Sequence, residues 1–177
     1  MVSFSDPQKN VERFGITEGM RVADFGSGSG HYTHALAEAV GSSGTVYAID
    51  IQQGLLKKVK DLSRKEYKDT IEVLWGNVEN LRGSKLPDTL LHAVVMGNAL
   101  FQFDNKETAL REAYRVLKQK GRLFIVDWSD SFGGLGPESE NVVSEESARA
   151  LSEKAGFSFE RSIPAGAHHY GLVFRKI

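Results

Sequence analysis

The chain has 177 residues, 41% hydrophobic and 25% charged, a composition that suits one globular α/β-sized domain with its own core. Its 22 basic and 23 acidic residues leave a formal net charge of -1, so no global field draws it to nucleic acid or to a membrane surface. With no cysteine, disulfides, thiolate metal sites and a cysteine nucleophile are excluded.

In chain order, residues 1–19 read as an N-terminal lid segment ahead of a core over 20–177, the whole forming one domain. The first predicted strand is Arg21–Phe25. Tyr32, Ala35, Leu36, Ala39 and Val40 then follow the spacing of one buried helix face, ended by Gly41. Strand Thr45–Ile49 precedes a second such helix, with Leu55, Leu56, Val59 and Leu62 on its buried face. Strands Ile71–Trp75 and Ala93–Met96 follow, and then a helix through Leu110, Ala113, Tyr114 and Leu117, closed by Gly121. Strand Arg122–Val126 leads into a polar, glycine-rich stretch, Ser129–Asn141. A helix over about Glu145–Ala155, stopped by Gly156, completes the alternation. Strands that alternate with helices argue for a parallel sheet covered on both faces. The last two β-like runs, Phe157–Ile163 and His169–Lys176, are separated only by Pro164–Ala167, too short for a crossover helix, so they pair antiparallel. The expected fold is α/β: a Rossmann-like, doubly wound, mostly parallel seven-stranded sheet with an antiparallel C-terminal hairpin. No apolar run approaches the ~20 residues of a membrane helix. Met1–Pro7 lacks the order of a signal peptide, so a cytoplasmic location is expected.

The strongest motif is Val22-Ala23-Asp24-Phe25-Gly26-Ser27-Gly28-Ser29-Gly30, which leaves a predicted strand and opens a predicted helix, as a nucleotide-binding loop does. A dinucleotide fingerprint starting at Gly26 would need glycine at position 31, where His31 stands. The acid at Asp24 opposes a pyrophosphate and suits a ligand carrying an ammonium and a sulfonium. S-adenosylmethionine is therefore favoured over NAD. Asp50, at the end of the second strand, stands where an acid takes ribose hydroxyls. The plainer reading is that it caps the following helix.

These features resemble the class I S-adenosylmethionine-dependent methyltransferases, and within them the small-molecule branch that includes the ubiquinone/menaquinone biosynthesis methyltransferases. The resemblance implies that Asp24 and the loop Gly26, Ser27 and Gly28 hold the methionyl end of the cofactor, while Gly30 allows close packing of the first helix. It places Asp50 on the ribose and Ile51 on the adenine. In Trp75-Gly76-Asn77-Val78, Asn77 occupies the position of an acid that accepts the adenine amino group, a bond its amide oxygen can also accept. Asn98, in Gly97-Asn98-Ala99, would line the methyl-transfer site. The cofactor implied is S-adenosylmethionine, with S-adenosylhomocysteine as product, and no metal.

Methyl transfer needs positioning and, where a proton is lost, a base. The candidates are His31, Asn98, Asp127 and His169, with His34, His168 and Tyr170 behind them. His34 reads as an exposed helix residue. Trp128 either walls an acceptor pocket or packs under the Ser129–Asn141 loop, and Phe101-Gln102-Phe103 is either acceptor contact or local core. Lys57, Lys58, Lys60, Arg64, Lys65 and Lys68 read as the wet face of an amphipathic helix before they read as an RNA surface. The Asn-Pro-Pro-aromatic motif of amino-methyltransferases is absent, with Gly97-Asn98-Ala99-Leu100 in its place. A small-molecule acceptor is expected, with nucleic acid and membrane disfavoured as partners. An RNA or protein methyltransferase of minimal fold, a non-catalytic cofactor-binding subunit and an NAD enzyme stand as the alternatives.

Overall fold

The computed structural model describes residues 4–67 and 69–177. Seven strands form one sheet: β1 (Arg21–Phe25), β2 (Thr45–Asp50), β3 (Ile71–Trp75), β4 (Leu91–Gly97), β5 (Leu117–Trp128), β6 (Phe157–Pro164) and β7 (His169–Lys176). Across the sheet they run β3-β2-β1-β4-β5-β7-β6. Pairing is parallel from β3 to β5 and antiparallel within β5-β7-β6. The doubly wound sheet and the terminal hairpin expected from the sequence are both present. The chain winds outward from β1 to β3 and then returns to β4 beside β1, which makes the C-terminal ends of β1 and β4 the switch point where open α/β sheets hold ligands.

Helices α1 (Pro7–Phe14) and α2 (His31–Val40) bury their apolar stripes on one face. On the other lie α4 (Lys106–Val116) and α5 (Glu145–Lys154). Helix α3 (Gln53–Glu66) covers β2 and β3. In β1, Val22 turns to the α1–α2 side and Ala23 and Phe25 to the other, so the strand is buried on both faces.

Three local readings change. Helix α1 lies within the segment read as a lid, where two turns are too short to display periodicity. The Asp6 carboxylate caps it by accepting from the Gln8 and Lys9 amides, and Gly15 ends it at φ +69. Its Phe14 stacks on Phe124 of β5 with ring centroids 4.4 Å apart, which ties this segment to the sheet. In α3 the buried stripe is Leu56, Val59 and Ser63, and Leu62 is exposed. At 100° per residue, position 63 returns to the direction of 56, whereas 62 points about 120° away. The basic side chains of α3 from Lys57 to Lys65 are exposed as expected of its wet face. Lys68, and Met1 to Ser3 of the lid segment, lie outside the described residues. Gly121 falls inside β5 rather than at the end of α4: Leu117 is already extended and pairs with Leu91, and the helix stops at Val116. None of the described helices is long and apolar enough to cross a membrane.

Candidate active site

The glycine loop is tied to the neighbouring strand before it reaches the helix. The amides of Gly26 and Ser27 both donate to the Ile49 carbonyl, at 2.9 and 3.0 Å. Gly26, Gly28 and Gly30 all take positive φ, the left-handed region that glycine enters without strain. Their surroundings differ. A Cβ on Gly30 would lie 2.9 Å from Val59 of α3, so this glycine serves helix packing. A Cβ on Gly28 would meet nothing within 4 Å, because Gly28 faces an open trench.

That trench is two contiguous clefts sharing Gly26, Gly28 and Gln102. The first, about 280 Å³, is lined by Asp50, Ile51, Asn77, Val78 and Phe103. The second, about 400 Å³, is lined by Ser5, Asp24, Ser27, His31, Tyr32 and Asn98. The structure thus brings together nearly every cofactor residue implied by the sequence. Gly30 alone stays behind the loop.

Two buried acids flank the cradle. Asp50 accepts from the Gly28 and Gln52 amides, each at 2.8 Å, which orients its carboxylate across the loop. The α3 N-cap is Gln52, without a side-chain cap bond, so Asp50 does not cap that helix. Each of its oxygens keeps capacity for a further donor, which is what a vicinal diol offers. Asp24, 1% exposed, accepts from the Thr33 hydroxyl at 2.7 Å. Burial pushes its pKa up to about 7, against the pull of the Thr33 bond, and the charge of Asp50 adds to the rise. A cationic group beside Asp24 would restore the carboxylate. Ser27 Oγ and Asn98 Oδ1 are buried without a partner among the described residues, polar atoms suited to a ligand rather than to the core. Asn77 Oδ1 accepts from the Glu79 amide at 2.9 Å and retains its second lone pair. Uncharged glycines, two acids and unpartnered polar atoms fit an adenosyl group carrying an ammonium and a sulfonium.

The far end of the trench is assembled from distant parts. Asn98, at φ +52, donates its amide to Val126 and accepts from the Gln102 side chain at 2.6 Å. The Tyr32 ring lies on Gly97, where a Cβ would sit 2.3 Å from ring carbons. The Tyr32 hydroxyl accepts from Asn10 Nδ2 at 2.9 Å and lies 3.4 Å from Ser5 Oγ, which holds Ser5 and Pro7 against the cleft. Ser5, Pro7 and Tyr32 are the site residues that sequence reasoning missed, while Gln102, read as acceptor contact or local core, lines both clefts. Tyr32 carried the only signal, a hydroxyl within an otherwise apolar helix stripe one residue after His31.

Other candidates fall elsewhere. Asp127 is fully buried, accepting from the amides of Phe101 and Trp128, with a pKa pushed by burial up to about 6. It anchors the short turn Leu100–Gln102 and lines neither cleft. His169 packs tilted against Trp128, with ring centroids 4.2 Å apart, beside a separate depression near the hairpin turn. Trp128 itself lies under the glycine-rich loop, where a Cβ on Gly136 would touch its ring at 2.6 Å. His34 is half-buried and stacks on Tyr67 instead of pointing into solvent. His31 is exposed on the first turn of α2 and lines the second cleft.

A family profile described as a methyltransferase domain matches residues 16–161. The demethylmenaquinone methyltransferase of Geobacillus sp. (strain WCH70) is 29% identical over 69% of this chain and 51% of its own length. The ubiquinone/menaquinone biosynthesis C-methyltransferase of Hydrogenovibrio crunogenus is 33% identical over 67% of this chain and 46% of its own. The chain therefore spans about half the length of these curated relatives. A crystal structure of a SAM dependent methyltransferase from Aquifex aeolicus superposes with a TM-score of 0.89 at 30% identity, covering 98% of this chain and 91% of that one.

Proposed function

Because the chain belongs to the class I S-adenosylmethionine-dependent methyltransferases, in the branch of the ubiquinone/menaquinone biosynthesis enzymes, we propose that it methylates a small quinone-class acceptor, with His31 taking the released proton. The observation that carries this reading is the pair of buried acids flanking an uncharged glycine cradle. Asp50 would hold the ribose, Asp24 the ammonium, Ile51 and Val78 the adenine faces, and Asn77 its amino group. Bound there, S-adenosylmethionine supplies a methyl group activated by its sulfonium.

This chain's own residues do the rest by positioning. Ser5, Pro7, Tyr32, Asn98 and Gln102 wall the end of the trench, and the N-terminal segment acts as a lid over it. Among the described residues no lysine or arginine lines either cleft, which argues against a phosphate-rich acceptor. The names of the curated relatives support a quinone-class molecule. Methylation at carbon or oxygen releases one proton, and the His31 imidazole, exposed at the second cleft, is the side chain there that can accept it and pass it to solvent.

Transfer from S-adenosylmethionine to reduced demethylmenaquinone, read by mass, tests the acceptor. His31→Gln is expected to lower kcat roughly a hundredfold while S-adenosylhomocysteine still binds. Product only on RNA or protein would overturn the acceptor class; an unchanged rate in the variant would overturn the base.

A further inference from the structure

At the opposite, N-terminal ends of the strands a separate cleft of about 170 Å³ opens between the end of α1 and the start of β5. It lies roughly 17 Å from the trench, five residues of β4 at about 3.3 Å each. Its floor is apolar, made by Phe14, Ile16, Met20 and Phe124. Its rim is cationic, with Lys118, Lys120 and Arg122. Glu160 answers Arg122 at 3.0 Å. Among the described residues no carboxylate pairs with Lys118 or Lys120.

His92 closes the cleft and gives the second observation. The Arg21 amide donates to its Nδ1 at 3.0 Å, which fixes the neutral ring with its proton on Nε2. Burial, together with the Lys118 charge, holds the His92 pKa below its ordinary value, so the neutral ring prevails at pH 7. Nε2 then faces Lys118 Nζ at 2.9 Å, donor against donor. Neither group satisfies the other. One anionic oxygen accepting from both would satisfy the pair with charge-assisted bonds.

We propose that this cleft binds a small amphiphilic carboxylate, its head between Lys118 and His92 and its apolar body against Ile16 and Met20, above the buried Phe14 and Phe124 rings. The size fits a single ring or short acyl chain, since an apolar cavity of about 150 Å³ holds benzene. The site rests on no part of the methyl-transfer reading.

The test is calorimetric titration of the whole chain with sodium benzoate, benzyl alcohol and inorganic phosphate, in excess S-adenosylhomocysteine to fill the cofactor end of the trench, with the Lys118 and His92 variants separating this cleft from the acceptor end. Benzoate should bind saturably at one site, with benzyl alcohol and phosphate each about tenfold weaker. Lys118→Met, which keeps the apolar stem, and His92→Phe should each weaken benzoate about tenfold without changing S-adenosylhomocysteine affinity. No saturable benzoate binding, or equal affinity in both variants, would overturn the site. Phosphate binding as tightly as benzoate would overturn the ligand class.

Discussion

The two ends of the trench are built by different means. The loop and both acids of the cofactor end come from one continuous stretch, Arg21 to Asp50, placed by a strand, a glycine loop, a helix and a second strand, with Asn77 and Val78 joining them from just after β3. The acceptor end draws Ser5, Pro7, Tyr32, Asn98 and Gln102 from three separate regions and holds them by long-range bonds such as Asn10 to Tyr32. A local motif can be kept whole while the facing wall changes, so one cofactor end can serve many acceptor walls. The chemistry of the cofactor is therefore written in the motif, and the choice of acceptor in the packing.

The largest expected effect lies at the cofactor end and comes from pH. For the proposed pairing with the ammonium Asp24 must be ionised, and burial pushes its pKa in the free chain up to about 7. Cofactor affinity should then fall about tenfold per unit below pH 7, roughly a hundredfold by pH 5, with proton release seen by calorimetry in two buffers. A flat profile would detach Asp24 from the ligand. The stability of the free chain has the opposite sign. Between the ordinary 3.8 and about 7 the folded state keeps a proton that the unfolded state has lost, so stability declines as pH rises through that window. Asp127 acts in the same direction up to about 6.

Next comes a contrast within the loop. Gly28→Ala puts a methyl into open trench and should weaken S-adenosylhomocysteine about tenfold, at a folding cost of about 1 kcal/mol for its positive φ. Gly30→Ala drives a methyl into Val59 and should cost about 1–3 kcal/mol of stability, measured by denaturant unfolding. Equal effects of the two on binding would erase the distinction between cradle and packing. The smallest effect belongs to the acceptor end. Tyr32→Phe keeps the ring on Gly97 and removes the bonds to Asn10 and Ser5. Losing about 1 kcal/mol should lower kcat/KM for the acceptor several-fold and leave cofactor Kd unchanged. A shift confined to cofactor Kd would show that Tyr32 serves the other end.

The same division explains what could be read in advance. The sheet and its hairpin were legible because buried strands are short apolar runs and because four residues cannot hold a crossover. Asp24, Gly28 and Asp50 were legible because each is placed by the strand that carries it or the turn it makes, and Asn77 was reached only through the family resemblance. Ser5 and Pro7 were not, since their role depends on Tyr32 and the Gly166 turn far along the chain, where a Cβ would meet Ser5 at 2.8 Å. Asp127 stood among the candidate catalytic residues, just past the predicted strand Arg122–Val126. Its burial under the Leu100–Gln102 turn depends on amides that no local pattern announces.

The proposed role of the two acids and the glycine loop is to hold S-adenosylmethionine. Calorimetric titration with S-adenosylhomocysteine and NAD, on the parent chain and Asp50→Ala, tests it most directly. The account predicts S-adenosylhomocysteine binding that weakens roughly a hundredfold in the variant, two charge-assisted hydroxyl bonds lost, and no comparable affinity for NAD. Unchanged affinity in the variant, or tighter binding of NAD, would contradict it.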